Sequence, residues 1–278
     1  MSTQTTSGAA QAANPTTATT VFPFLRYQDA RAAIRWLVDA LGFAEKAVYA
    51  GPGDSVAHAE LRFGDGLVML GSYRDDALGV KPPRQLGGST HSVCLVDGDP
   101  DARHARAAAA GAEIVRPLAD QSYGARDFTC RDPEGTPWTV STYRPAGGAD
   151  LNVEVAYEDG RAAVGWLERA FGFAPQLVVP APDGGVAHAE LRCEGDGGVV
   201  MLFGARGLSR LGVGSARHLG GTSGGVYLVV ADPDAHHDRA RAAGAELVRP
   251  LEDTEYGSRE YGCRDLEGNL WSFGTYRP

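Results

Sequence analysis

The sequence predicts an α+β fold made of four copies of one βαβββ module, paired into two tandem domains. Three observations predict it. First, the chain repeats itself. VAHAELR occupies 56–62 and again 186–192, GAEIVRPL (111–118) is matched by GAELVRPL (244–251), and YGARDFTCRDPEGTPWTVSTYRP (123–145) by YGSREYGCRDLEGNLWSFGTYRP (256–278). Self-similarity of this kind marks a copied structural unit. Second, inside each repeat the apolar period runs from two to 3.6 and back to two, and does so twice. Third, 278 residues suit about two domains. The expected layout is a disordered Ala/Thr/Ser/Gln-rich tail (1–19), a first domain (20–145), a small-residue linker AGGAD (146–150) and a second domain (151–278).

The elements follow in order. TVFPFLRY alternates and is rich in β-formers, so it is a strand. DARAAIRWLVDALGF (29–43) is a helix, with apolar Ala33, Ile34, Leu37, Val38 and Leu41 at helical spacing, Asp29 as N-cap and Gly42 as its stop. EKAVYA, SVAHAELRF and GLVMLG are three strands. After a Gly/Pro-bearing link (73–88) the order recurs. THSVCLV is a strand, DPDARHARAAAAGA a helix capped by Asp99 with Pro100 at its first position, and AEIVRP, ARDFTCR and PWTVSTY are strands. The second repeat reads the same way, beginning with the helix DGRAAVGWLERAFGF (159–173).

Composition narrows the function classes. Net charge is −9, which argues against a nucleic-acid binder. The N-terminal stretch lacks the basic and apolar regions of a signal peptide, and no apolar run reaches the length of a membrane span. Cys94, Cys130, Cys193 and Cys263 form neither a CxxC pair nor a zinc spacing, so they read as reduced thiols in a cytoplasm. Abundant Arg, Ala and Gly suggest a GC-rich bacterial genome.

Strand, short helix and three strands, repeated in pairs and ending in RDPEGTPWTVSTY or RDLEGNLWSFGTY, resemble the vicinal oxygen chelate superfamily: glyoxalase I, extradiol dioxygenases and bleomycin-resistance proteins. The resemblance covers nearly everything after residue 20. It implies sheets curled around a cavity with helices outside. It also implies, for the metal enzymes, His and Glu or Gln on the first, fourth, fifth and eighth strands. The matching positions are Phe22, Met69, His91 and Thr139 in the first repeat, and Asn152, Met201, Gly224 and Ser272 in the second. Only His91 is an ordinary ligand there, and a shift of two residues adds Glu154, so no metal is favoured. A divalent metal remains possible through His58, Glu60 and His91, a 2-His-1-carboxylate set.

Alternation points the chemistry inward. In VAHAELRF the Ala and Leu positions pack on helices, and His58, Glu60 and Arg62 take the other face, as do His188, Glu190 and Arg192. His58, Glu60, His188 and Glu190 are the catalytic candidates. Arg62, Arg192, Tyr123, Arg126, Tyr256, Arg259, Asn152 and Glu154 are the ligand-binding candidates. Trp138 and Trp271 point away from the cavity and read as core. His104, His236 and His237 read as surface-helix residues and His218 as a loop residue.

Three function classes stand. The first is a protein that binds a small organic molecule without a metal, for which an acidic chain suits a cationic ligand. The second is a glyoxalase-like lyase or isomerase, or a dioxygenase-like oxidoreductase. The third is a non-catalytic duplicated scaffold. The expected assembly is a monomer whose repeats imitate a dimer, or a homodimer.

Overall fold

The computed structural model describes residues 20–194 and 198–278, so the expected tail (1–19) lies outside the described residues. The first repeat contains β1 (Val21–Tyr27), α1 (Ala30–Trp36) running on into a π-helical turn (Leu37–Leu41), β2 (Ala44–Ala50), β3 (Val56–Phe63), β4 (Gly66–Ser72), α2 (Pro83–Leu86), β5 (His91–Val96), α3 (Pro100–Ala109), β6 (Glu113–Asp120), β7 (Arg126–Arg131) and β8 (Pro137–Ser141). The second contains β9 (Leu151–Tyr157), α4 (Gly160–Phe171), β10 (Ala174–Pro180), β11 (Val186–Arg192), β12 (Val199–Gly204), α5 (Ala216–Leu219), β13 (Gly224–Val229), α6 (Pro233–Ala242), β14 (Glu246–Asp253), β15 (Arg259–Arg264) and β16 (Leu270–Gly274). Four βαβββ modules are present. The short helices α2 and α5 are additions in the links, and α5 carries His218, which the sequence placed in a loop.

Local chemistry explains the helix ends. Asp29 Oδ1 accepts from the Ala32 amide at 2.9 Å, and Gly42 closes the helix with φ 76°. Asp99, Asp159 and Asp232 cap α3, α4 and α6 in the same way.

The sheets cross the repeats. Sheet I has the order β14-β15-β16-β13-β1-β4-β3-β2, and sheet II β10-β11-β12-β9-β5-β8-β7-β6. Their centres are the antiparallel pairs β1–β13 (Phe22 opposite Tyr227) and β5–β9 (Ser92 opposite Glu154). Each sheet therefore joins a module of the first repeat to one of the second. The hydrophobic cores divide differently. One gathers α1, α3 and the helix-side residues of β1, β3, β5 and β8 from the first repeat, among them Leu37, Leu61, Val93 and Trp138. The other gathers the corresponding residues of the second repeat, including Phe171, Leu191, Val226 and Trp271. Apart from Val21 and Leu151, which cross over, each core belongs to one repeat, while each sheet belongs to both.

The repeated DPEG and DLEG turns bind the two sheets within a repeat. Buried Asp132 accepts from the Tyr27 hydroxyl (2.7 Å) and from Trp138 Nε1 (3.1 Å). Glu134 accepts from the Gln28 and Asp29 amides at the head of α1 (2.7 and 2.8 Å). Asp265 and Glu267 do the same for Tyr157, Trp271, Glu158 and Asp159. The turn residues thus have a second role beyond turning the chain, and the two tryptophans are core residues. His236 departs from the surface reading. It is buried, its Nδ1 lies 2.6 Å from the Tyr261 hydroxyl, and it packs on Phe171 and Phe273. Burial, reinforced by Arg239, lowers its pKa to about 4.

Candidate functional site

Strand alternation decides which side chains leave the cores. On β1, Leu25 and Tyr27 join the helix-side core, so Phe22, Phe24 and Arg26 take the inner face of sheet I. On β3, Ala59, Leu61 and Phe63 pack toward the helices and His58 and Glu60 face inward, as the alternation predicts. On β13, Val226 and Leu228 are core and Tyr227 is inward. Trp271 and Phe273 leave Ser272 inward on β16.

These inner residues enclose a cavity of about 510 Å³, lined by Phe24, Arg26, Tyr49, His58, Met69, Arg74, Tyr227, Arg249, Tyr256, Glu260, Ser272 and Tyr276 among others. Both repeats contribute. At the wall of the first repeat, Glu60 is 2% exposed. It accepts from Tyr276 Oη at 2.5 Å and Lys46 Nζ at 2.9 Å, with His58 Nε2 at 3.3 Å. Burial opposes ionisation of Glu60. The bonds from Tyr276, Lys46 and His58 outweigh it and hold the carboxyl below its usual range. At the other wall Glu260 accepts from Arg249 (2.8 Å) and Tyr256 (2.9 Å). The rings of Tyr256 and Tyr276 meet edge to face, 5.7 Å between centroids. A continuous arc results: His58, Glu60, Tyr276, Tyr256, Glu260, Arg249.

Sheet II carries a counterpart. Glu190 is bonded by Tyr143 with His188 Nε2 at 3.4 Å, and Asp127 accepts from Tyr123 (2.5 Å) beside Arg116 (3.1 Å). Tyr123 and Tyr143 meet edge to face at 6.2 Å. Glu154 accepts from the Ser92 hydroxyl at 2.6 Å, and Asn152 donates to the Ala149 carbonyl.

The structure therefore brings His58, Glu60 and Tyr256 to one face, and His188, Glu190, Tyr123, Asn152 and Glu154 to the other. It does not bring Arg126 and Arg259 there. Arg126 is held outside by Asp101 (2.7 Å) and Asp120 (3.1 Å), and Arg259 by Asp234 (2.6 Å) and Asp253 (3.2 Å). Arg62 and Arg192 are exposed near their strand ends and are not among the residues lining the cavity.

His91 shares a face with Val93 and Leu95, toward the helix side, and lies on sheet II, so it does not meet His58 and Glu60 of sheet I. It is buried where the repeats meet, with Nδ1 2.7 Å from the Thr90 hydroxyl. Burial lowers its pKa to about 3. The assignments to His91 and Gly224 are each one residue off the inner face; Ser92 and Cys94 on β5, and Gly225 and Tyr227 on β13, occupy it. Alternation carries no signal there, because every residue of HSVCL is buried. Lys46, Arg249, Glu260 and Tyr276 were also missed. Lys46 bonds Glu60 from the neighbouring strand β2, and the other three reach the cavity only through the pairing of β1 with β13.

A pair of eight-stranded sheets, each assembled from two βαβββ modules, with a cavity of aromatic rings and a few polar groups on the inner face of one, defines the fold class. The model of the glyoxalase/bleomycin resistance protein/dioxygenase superfamily matches residues 17–140 and 151–273, and the chain belongs to that superfamily. Glyoxalase I from Zea mays is similar in fold, with a TM-score of 0.71 at 15% identity over 92% of each chain. A putative dioxygenase from Bacillus subtilis gives 0.63 at 14% identity over 94% of this chain and 86% of its own. An uncharacterized protein of Mycobacterium tuberculosis is 36% identical over 129 residues, which is 45% of this chain and 72% of that one.

The superfamily implies a metal, and the residues at the corresponding positions are poor ligands for one. The inner positions of the four central strands of sheet I are Phe22 and Phe24, Met69, Gly225 and Tyr227, and Ser272. None is an imidazole or carboxylate. In sheet II they are Asn152 and Glu154, Met201, Ser92 and Cys94, and Thr139, with one carboxylate and a thiol that burial pushes up, away from the thiolate a metal needs. Among the described residues no group of three His, Cys, Asp or Glu could hold a metal ion. These residues do not fit the superfamily's chelate site. Among the described residues no helix is long and apolar enough to cross a membrane.

Proposed function

We propose that this protein binds a small organic molecule in the cavity of sheet I and does so without the superfamily's metal. One observation carries the reading: the inner positions of the four central strands of sheet I hold Phe22, Phe24, Met69, Gly225, Tyr227 and Ser272, none of them an imidazole or carboxylate. An apolar floor with aromatic walls and a few fixed polar groups is the make-up of an organic ligand site. The molecule acts in the cytoplasm as a monomer, its two repeats taking the places of two subunits.

A second reading is favoured by the His58–Glu60 contact. An imidazole that lines the cavity beside a carboxylate held ionised can exchange a proton with a bound molecule, which would make the protein a metal-free lyase or isomerase.

The test is metal analysis by mass spectrometry after incubation with nickel, zinc, iron and manganese, with the solvent-extracted protein analysed for co-purified organic molecules. The binding reading expects metal far below one equivalent, and an organic species lost when Met69→Trp fills the cavity. One equivalent of metal that is lost in His58→Ala overturns it.

A further inference from the structure

One slot in the fold is filled differently in the two repeats. Arg26 on β1 lies directly opposite Gly71 on β4. At the same place in the second repeat, Ala156 on β9 lies opposite Phe203 on β12. Large faces small in both, with the large residue moved to the other strand. Gly71 is required by the arrangement: a Cβ there would come within 2.8 Å of Arg26 Nη1 and 3.0 Å of the Ala57 carbonyl. The second repeat fills its slot with apolar matter, Phe203 packing with Ala156, Ala205 and Val213. The first fills it with a cation.

That cation is poorly compensated. Arg26 is 3% exposed. Among the described residues its polar contacts are the Ser72 carbonyl at 3.3 Å and Asp76 at 3.5 Å, for a group with five N–H donors. Asp76 is shared: it takes a closer bond from Arg74 Nε, at 2.8 Å. Phe24 lies under the guanidinium at 4.6 Å. Burial and the neighbouring Arg74 lower the Arg26 pKa to about 10 against the pull of Asp76. A buried charge with one shared counter-ion is costly, and the fold has an apolar alternative in the other repeat. Both Arg26 and Arg74 line the cavity, beside the aromatic rings of Phe24 and Tyr49.

We propose that Arg26, with Arg74 beside it, is an anion subsite of the cavity, and that the ligand is a planar aromatic molecule bearing a carboxylate or a phosphate. The ligand's anion supplies the counter-charge that Asp76 divides between two guanidiniums, and its ring stacks among the aromatic walls. This rests on the cavity being an organic ligand site. It also sets local chemistry above overall charge: the chain is acidic, but this wall selects an anion.

The test is titration of the full chain, at constant ionic strength, with 1-naphthoate, 1-naphthyl phosphate and the neutral 1-naphthamide. Two variants are compared with the parent. Arg26→Ala/Gly71→Phe copies the second repeat's filling of the slot, and Arg26→Met removes the charge with Gly71 kept. The proposal expects an anionic probe to bind the parent, and each folded variant to bind it about tenfold or more weakly, as loss of a charge-assisted hydrogen bond implies. Naphthamide binding stays weak and unchanged. Preference for naphthoate over naphthyl phosphate, or the reverse, assigns the anion. Equal binding of naphthamide and the anions by the parent, or undiminished anion binding by either variant, overturns the anion subsite and leaves the cavity reading standing. No binding of any probe at millimolar concentration overturns both.

Discussion

Tyr276, beyond the last strand of the second repeat, donates its phenolic hydrogen to Glu60, on the third strand of the first, at 2.5 Å. The two residues are 216 positions apart. The contact closes one wall of the cavity and makes the ionisation of a first-repeat carboxylate depend on the second repeat.

Tyr276→Phe is therefore expected to destabilise the protein by about 1–3 kcal/mol, the cost of a lost bond to a buried charged acceptor. The effect has a pH signature. The folded pKa of Glu60 lies below its ordinary 4.5, so the stability it contributes is fully present above that value and is lost as pH falls through the lower folded one. Removing Tyr276 raises the folded pKa and shrinks that acid-sensitive share. Urea unfolding of both proteins between pH 3 and 7 measures it, and identical pH profiles would count against the coupling.

His91 and His236 act at higher pH. Both are buried with folded pKa values lowered to about 3 and about 4, against an ordinary 6.5. Between those values the unfolded chain binds more protons, so stability rises with pH and falls on acidification from 6.5 downward. The slope is up to about 1.4 kcal/mol per pH unit for each histidine. Replacing His236 with Phe, which suits its stacking on Phe171 and Phe273, should reduce the slope between pH 4 and 6.5. An unchanged slope in the denaturation midpoints would refute the assignment.

The turn carboxylates offer a comparison within one molecule. Glu134 and Glu267 each accept two amide hydrogens at the head of a helix, but Glu267 is buried at 5% exposure and Glu134 is not. Truncation to Ala should cost about 1–2 kcal/mol at Glu134 and more at Glu267, where the amides are left without water. Thermal unfolding of the two single variants ranks them; the reverse order would contradict the burial argument.

Where the sheets' central strands meet, Gly224 has no room for a side chain. A Cβ there would lie 2.7 Å from the Phe24 carbonyl. Gly224→Ala should destabilise by about 1–3 kcal/mol through overpacking against backbone. A melting temperature equal to that of the parent would show that β1 and β13 can part at little cost.

How much of this the sequence disclosed depends on whether the signal was local. The Asp29 cap, the Gly42 stop, the inward His58 and Glu60 and the helix-side Trp138 are local facts of capping and alternation. They are visible in a dozen residues. The partner of β1 is not. Alternation gives a strand its faces but not its neighbour, and nothing in VFPFLRY states that β13 rather than β5 lies beside it. Glu260, Arg249 and Tyr276 were therefore invisible as site residues. Arg26 was passed over because an arginine on a short strand resembles a solvated one until the opposing Gly71 is known. In HSVCL both faces are covered, so His91 had no periodicity to orient it.

The division of cores from sheets governs how such a molecule can change its preferences. Each repeat keeps its own hydrophobic interior but lends one wall to each sheet's inner face. Exchanging a whole repeat with a relative would preserve folding while re-equipping one side of both faces at once. A new specificity on sheet I alone must instead come from the opening and closing quarters of the folded chain, the modules that carry Arg26 and Tyr276. The copied segment and the unit of recognition do not coincide, and chimeras cut at the duplication boundary would blend two binding surfaces without transferring either.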